Sequence, residues 1–154
     1  MTESELNNLT GNIINIAINV HRELGPGLFE KVYQKCLKIA LEEAGYQVEI
    51  EIPVPVIFRG KLVEEDGYRI DLLVNDAVIL EIKSVSALTP VFAKQLGTYL
   101  RLANKPCGLL INFNVAVLKQ GIKRIKNGYL ENEDYSQENI KLPVQEHREG
   151  KCYI

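Results

Sequence analysis

Tyr68-Arg69-Ile70-Asp71-Leu72-Leu73-Val74-Asn75-Asp76-Ala77-Val78-Ile79-Leu80-Glu81-Ile82-Lys83-Ser84 is the stretch that decides the fold. Two runs rich in Val, Ile and Leu flank Asn75-Asp76, which is a β-hairpin signal. Asp71, Glu81 and Lys83 lie inside those runs, and charges in apolar company are costly to desolvate unless they are paired or bind a metal. Residues two apart on a strand share a face, so Glu81 and Lys83 point the same way. A loop of only Asn75-Asp76 pairs Val74 with Ala77 and turns Asp71 away from Glu81. A three-residue loop, Asn75 to Ala77, pairs Val74 with Val78 and sets Asp71 opposite Glu81. A bulge in either strand does the same. The expectation is the odd loop or the bulge.

Two carboxylates converging with one lysine suit Mg²⁺, a hard cation that takes one or two carboxylates and keeps several waters. Such an ion activates water and neutralises charge on a phosphoryl group. A nearby ammonium orients that water or stabilises the transition state. The competing reading is a solvated Glu-Lys pair on an edge strand, which contributes little. Asp71 and the apolar flanks weigh against it.

At 154 residues the chain fits one domain with a real core, and 46% apolar with 25% charged residues is ordinary for a globular protein. The net charge of −2 gives no global attraction to polyanions. Residues 127–154 hold six acids and three bases, which sets an acidic, polar tail apart from a near-neutral body of residues 1–126. Cys36, Cys107 and Cys152 form no Cys-x-x-Cys pair and no zinc pattern. Cys36 and Cys107 read as small core residues, as suits a reducing cytoplasm. Neither a signal peptide nor a membrane span is expected.

Glu3 to Leu24 reads as a helix with Leu6, Leu9, Ile13, Ala17 and Val20 on one stripe, ended by Gly25-Pro26-Gly27. His21, near its end, reads as a packing or capping residue. Leu28 to Gly45 is a second helix, with Leu28, Val32, Cys36, Leu37, Ala40, Leu41 and Ala44 inward. Glu30 and Tyr33 share a face there. Glu30 sits in the first turn, where the helix dipole favours a carboxylate, and local sequence prefers that reading to a metal ligand. Tyr46 to Arg59 alternates as a strand, and Pro53 and Pro55 confine it to an edge or a bend. Gly60-Lys61 turns it back, and Glu64, Glu65 and Asp66 read as a solvated loop.

Thr89-Pro90 opens a third helix reaching about Asn104, with Phe92, Leu96, Leu100 and Leu102 buried. Gln95 and Tyr99 stack on one of its faces, either as ordinary surface or as a polar pair over the hairpin; Lys94 and Arg101 could reach phosphates. Cys107 to Asn112 is a short strand buried on both faces, returning to the same sheet. Ile122 to Ile125 is a basic edge strand, whose lysines also discourage edge-to-edge pairing.

This order resembles the PD-(D/E)XK nuclease superfamily. Asp71, nine intervening residues and Glu81-Ile82-Lys83 are similar to its signature, and Gln95 and Tyr99 to the Q-x-x-x-Y motif of its RecB-like branch. Gly27-Leu28-Phe29-Glu30-Lys31-Val32-Tyr33 resembles the run for which the GxxExxY proteins are named. Ile70 stands where the superfamily name has proline. The resemblance covers about Leu6 to Lys126. It implies an α/β fold with a restriction-endonuclease-like core: two N-terminal helices and a mixed four-stranded sheet flanked by helices, in the order ααβββαβ with an edge strand beyond. Residues 1–126 would form the nuclease-like domain. It also implies Glu30, Asp71 and Glu81 as Mg²⁺ ligands, with Mn²⁺ as a substitute, and Lys83 as the catalytic lysine. Gln95, Tyr99 and Tyr33 would support the site or contact substrate. The expected activity is metal-dependent hydrolysis of nucleic acid, DNA foremost. The alternative is a non-catalytic nucleic-acid- or protein-binding module on the same fold. A homodimer, or a partner protein for targeting, is compatible with this reading.

Overall fold

A computed structural model describes residues 1–128; the expected acidic tail, with Cys152, lies outside the described residues apart from Asn127 and Gly128. Two helices, α1 (Glu3–Leu24) and α2 (Glu30–Glu43), precede strands β1 (Val48–Phe58), β2 (Lys61–Val74) and β3 (Val78–Lys83). Helix α3 (Pro90–Ala103) leads to β4 (Cys107–Asn112), a 3-10 turn at Leu118–Gly121, and β5 (Ile122–Lys126). Among the described residues the sheet has five strands in the order β1-β2-β3-β4-β5, so the expected core of four is extended by the edge strand, and the short 3-10 turn is an addition. Among these strands β3 and β4 pair in parallel and the other neighbours antiparallel, because α3 carries the chain back across the sheet between β3 and β4.

The two faces are covered differently. Leu72, Val74, Leu80, Ile82, Leu109 and Ile111 pack under α1 and α2, among Ile13, Ala17, Leu37 and Leu41. Leu73, Ile79, Leu110 and Ile125 pack under α3, among Ala93, Leu96, Tyr99 and Leu100. Thr2 and Glu5 close α1 with a capping box. Pro53 and Pro55 lie in β1, the edge strand, where a missing amide donor leaves no neighbour unpaired. Asn127 is buried and its side-chain amide donates to the Leu100 and Lys105 carbonyls, so it is tied to the body.

Several expectations are corrected. Glu64 and Glu65 lie within β2 and not in a loop; the strand runs for 14 residues with water around this part of it. Its turn falls at Arg59-Gly60, both with positive φ, the twist a tight hairpin demands. In α2 Leu37 and Leu41 are buried as expected, with Cys36 and Ala40 partly buried against the same core, whereas Val32, Leu28 ahead of the helix and Ala44 after it are exposed and Tyr33 and Gln34 turn inward. Leu102 of α3 is exposed as well, and Phe92 is half-buried.

Candidate active site

The hairpin register is the odd one: Val74 pairs with Val78, Leu73 with Ile79 and Leu72 with Leu80 across the loop Asn75 to Ala77. Asn75 and Asp76 carry the left-handed φ of 50° and 54° that this loop needs, a conformation Asn and Asp tolerate. The next position in register sets Asp71 against Glu81. There the strands part. The Ile82 amide, past the last paired position, donates to Asp71 Oδ2 at 2.8 Å. On the other side of β2, Ile50 pairs with Leu72 and Ile52 with Ile70, and Glu51 between them has φ of 52°. Ile70 packs toward α3 and Leu72 toward α1 and α2, so β2 turns over at Asp71. Positive φ in a non-glycine strand residue is a strained conformation that the surroundings must hold. Arg69 donates to the Glu51 carbonyl there at 3.2 Å, and Lys31 pairs with the Glu51 side chain.

Glu81 is 5% exposed, and its Oε1 is buried without a hydrogen-bond partner. Its Oε2 lies 4.0 Å from Lys83 Nζ. Burial pushes the Glu81 carboxyl up to about 9; the Asp71 charge, the bond to Asp71 and the Glu30 charge add to this, and Lys83 opposes it. The Lys83 ammonium lies 4.6 Å from the centre of the Phe92 ring, a cation–π contact that fixes it between α3 and Glu81.

Asp71, Glu81 and Lys83 are thus brought together. Glu30, the first residue of α2, stands at the rim, where its Oε2 accepts the Ser84 amide at 3.2 Å. Among the described residues no three acid, His or Cys side chains gather into a metal-holding group, so Glu30 does not close a three-acid cluster. Tyr33 is fully buried, stacked on Phe113 at 4.4 Å. Its hydroxyl donates to the Gly25 carbonyl at 2.5 Å and accepts the Leu28 amide at 3.1 Å, which ties the entry of α2 together. Tyr99 is buried beside the acids; burial and then the charges of Glu81 and Asp71 push its phenol up to about 12. Gln95 lies one turn earlier on α3, half-buried.

Three contributors carried no sequence signal. Buried Gln34 donates from Nε2 to the Asp71 carbonyl at 2.9 Å, replacing a partner where the ladder breaks. Asn112 at the end of β4 clamps both backbone groups of Val85, at 3.0 and 3.1 Å, steadying the segment after Lys83. Ser84 Oγ donates to the Leu28 carbonyl at 2.7 Å, tying the hairpin to the entry of α2.

Two carboxylates, one with an orphaned buried oxygen and a proton it would hold unless a cation replaced it, are a donor set that fits a hard divalent ion. A family model, described as the PD-(D/E)XK nuclease superfamily, matches residues 7–125. No curated protein and no solved structure matches the chain.

Proposed function

We propose that this chain, which belongs to the PD-(D/E)XK nuclease superfamily, hydrolyses phosphodiester bonds in DNA with Mg²⁺, or Mn²⁺ in its place, held by Asp71 and Glu81. The observation that carries the reading is the Glu81 carboxylate, buried in the sheet with one oxygen unpartnered, beside Asp71 and within 4.0 Å of Lys83. A divalent ion bound there supplies an activated water and charge neutralisation at the phosphoryl group. Asp71 is oriented by the Ile82 amide, so its carboxylate is held ready and need not reorganise. Lys83, steadied by Phe92 and Glu81, orients the attacking water or stabilises negative charge on the phosphate oxygens. Glu30 acts from the rim through its charge. Gln95 and Tyr99 support the site or touch the substrate. Within the superfamily, the run Gly27 to Tyr33 supports placement among the GxxExxY proteins, and Gln95 with Tyr99 supports the RecB-like branch.

The test is cleavage of labelled single-stranded and duplex DNA with Mg²⁺ or Mn²⁺, with and without chelator. Cleavage should stop on chelation and fall at least about a hundredfold in Lys83→Ala, the scale of losing one electrostatic stabiliser. Full cleavage by Lys83→Ala would refute its role, and no cleavage by the unmodified chain in either ion would leave only a binding module on this fold.

A further inference from the structure

Beside the acids lies a pocket of about 280 Å³ between β2 and α3, walled by Tyr68, Phe92, Lys94, Gln95, Thr98 and Tyr99. It adjoins the candidate site through Phe92, which lines the pocket and carries the Lys83 ammonium at 4.6 Å from its ring centre. Tyr68 comes from the part of β2 beyond its pairing with β3 and is 40% exposed. Its ring meets the buried Tyr99 edge-on, with centroids 5.9 Å apart at 66°, so it is braced from one side and open on another. Lys94, exposed one turn from Thr98, adds a cation to the rim.

A braced aromatic face, a second aromatic and a rim cation suit a planar heterocycle attached to a phosphate: the ring stacks and the phosphate meets the ammonium. The volume lies just under the range of about 300–1,000 Å³ that holds drug-sized ligands, and so suits one such ring. Bases in a duplex are stacked and paired, and reach such a pocket only after unpairing. We propose that this pocket takes one unpaired nucleobase, which makes single-stranded nucleic acid the substrate class of the neighbouring acids. The proposal rests on the phosphodiesterase reading for its purpose, but its test does not require turnover.

The test is fluorescence anisotropy of the full chain in chelator with a labelled oligothymidylate, the same strand in a duplex, and an oligouridylate of equal length. The single strand should bind at least about tenfold more tightly than the duplex. Tyr68→Ala should weaken it by about tenfold, the scale of one lost base stack, while leaving duplex affinity within about twofold. Tyr68→Trp should retain binding, and Thr98→Trp, which fills the pocket from α3, should weaken it. The same losses on whichever strand binds more tightly, deoxyribose or ribose, support the pocket and identify the sugar. Unchanged affinity in Tyr68→Ala, equal losses for single strand and duplex, or tighter binding of duplex by the unmodified chain would overturn it. Strand binding that depends on Tyr68 without any cleavage in Mg²⁺ would sink the hydrolytic reading alone. Cleavage without Tyr68 dependence would sink the pocket alone.

Discussion

The Asp71 carboxylate accepts the Ile82 amide at 2.8 Å, across the fork where β2 leaves β3. One side chain thus closes the ladder and faces Glu81. The two roles separate by substitution. Asp71→Asn keeps an oxygen acceptor for the amide, whereas Asp71→Ala leaves that amide without its acceptor, which costs about 1–3 kcal/mol where the group is buried. Asp71→Asn should melt close to the unmodified chain and still cut DNA at least about a hundredfold more slowly; Asp71→Ala should lose both. Thermal melts beside a cleavage assay separate the two, and equal cleavage by Asp71→Asn would remove Asp71 from the chemistry.

The raised Glu81 carboxyl makes stability depend on pH in a stated direction. Its folded value of about 9 lies above its ordinary 4.5, so the folded chain binds the extra proton between those values. Stability from this group is then full below about pH 4.5 and lost as pH rises toward 9. Metal-free melts should fall across that window, and Glu81→Gln, which stays neutral, should flatten the fall. Added Mg²⁺ should raise the melting temperature more at pH 8.5 than at pH 6, because the ion displaces the proton. A melting temperature rising steadily with pH in chelator, or the same fall in Glu81→Gln, would contradict this.

Gln34 is the prop behind Asp71. Gln34→Leu fills similar space but leaves the Asp71 carbonyl unpaired, at a cost of about 1–3 kcal/mol. The melting temperature should drop by several degrees. Mg²⁺ affinity, measured by the shift in melting on titration, should weaken as well, since the backbone that presents the carboxylate is no longer held. A loss of stability with unchanged Mg²⁺ response would leave Gln34 a purely architectural residue.

Gly108 in β4 tests the packing of α3 on the sheet. A Cβ there would lie 2.9 Å from Leu96 Cδ1 and 3.1 Å from the Ile79 carbonyl oxygen. Leu96 can yield a little and the strand backbone cannot, so Gly108→Ala should destabilise by about 1–3 kcal/mol. Denaturant titration checks this; a neutral result would mean that α3 sits further from β4 than described.

The hairpin was legible because its strands are buried on both faces and its charges stand out against them; the parity of Val74 and Val78 then decides which face Asp71 takes. Pro53 and Pro55 pointed to the edge for an equally local reason, the missing donor. The stripe of α2 is legible in its second half, at Leu37 and Leu41; at its entry Leu28 and Val32, although apolar, are exposed, while Tyr33 and Gln34 turn inward to find backbone partners. A polar residue buried to satisfy a distant carbonyl leaves no periodic trace. Glu64 and Glu65 carry no strand signal, because a strand with water on its faces shows no alternation. The pocket at Tyr68 depends on how far β2 overshoots β3, which no local pattern encodes.

That overshoot has a dynamic consequence. Past Val54 and Tyr68 the β1–β2 ribbon carries Ile57, Phe58, Leu62 and Val63 in the open, and a lone two-stranded ribbon has little tertiary packing to hold it shut. Amide protons near Arg59 should therefore exchange with deuterium far sooner than those of Leu72 or Leu80, which belong to the slowest unit of the chain. The carboxylates sit on the seam between the two regimes: rooted in the slow half, with a yielding flap beside them.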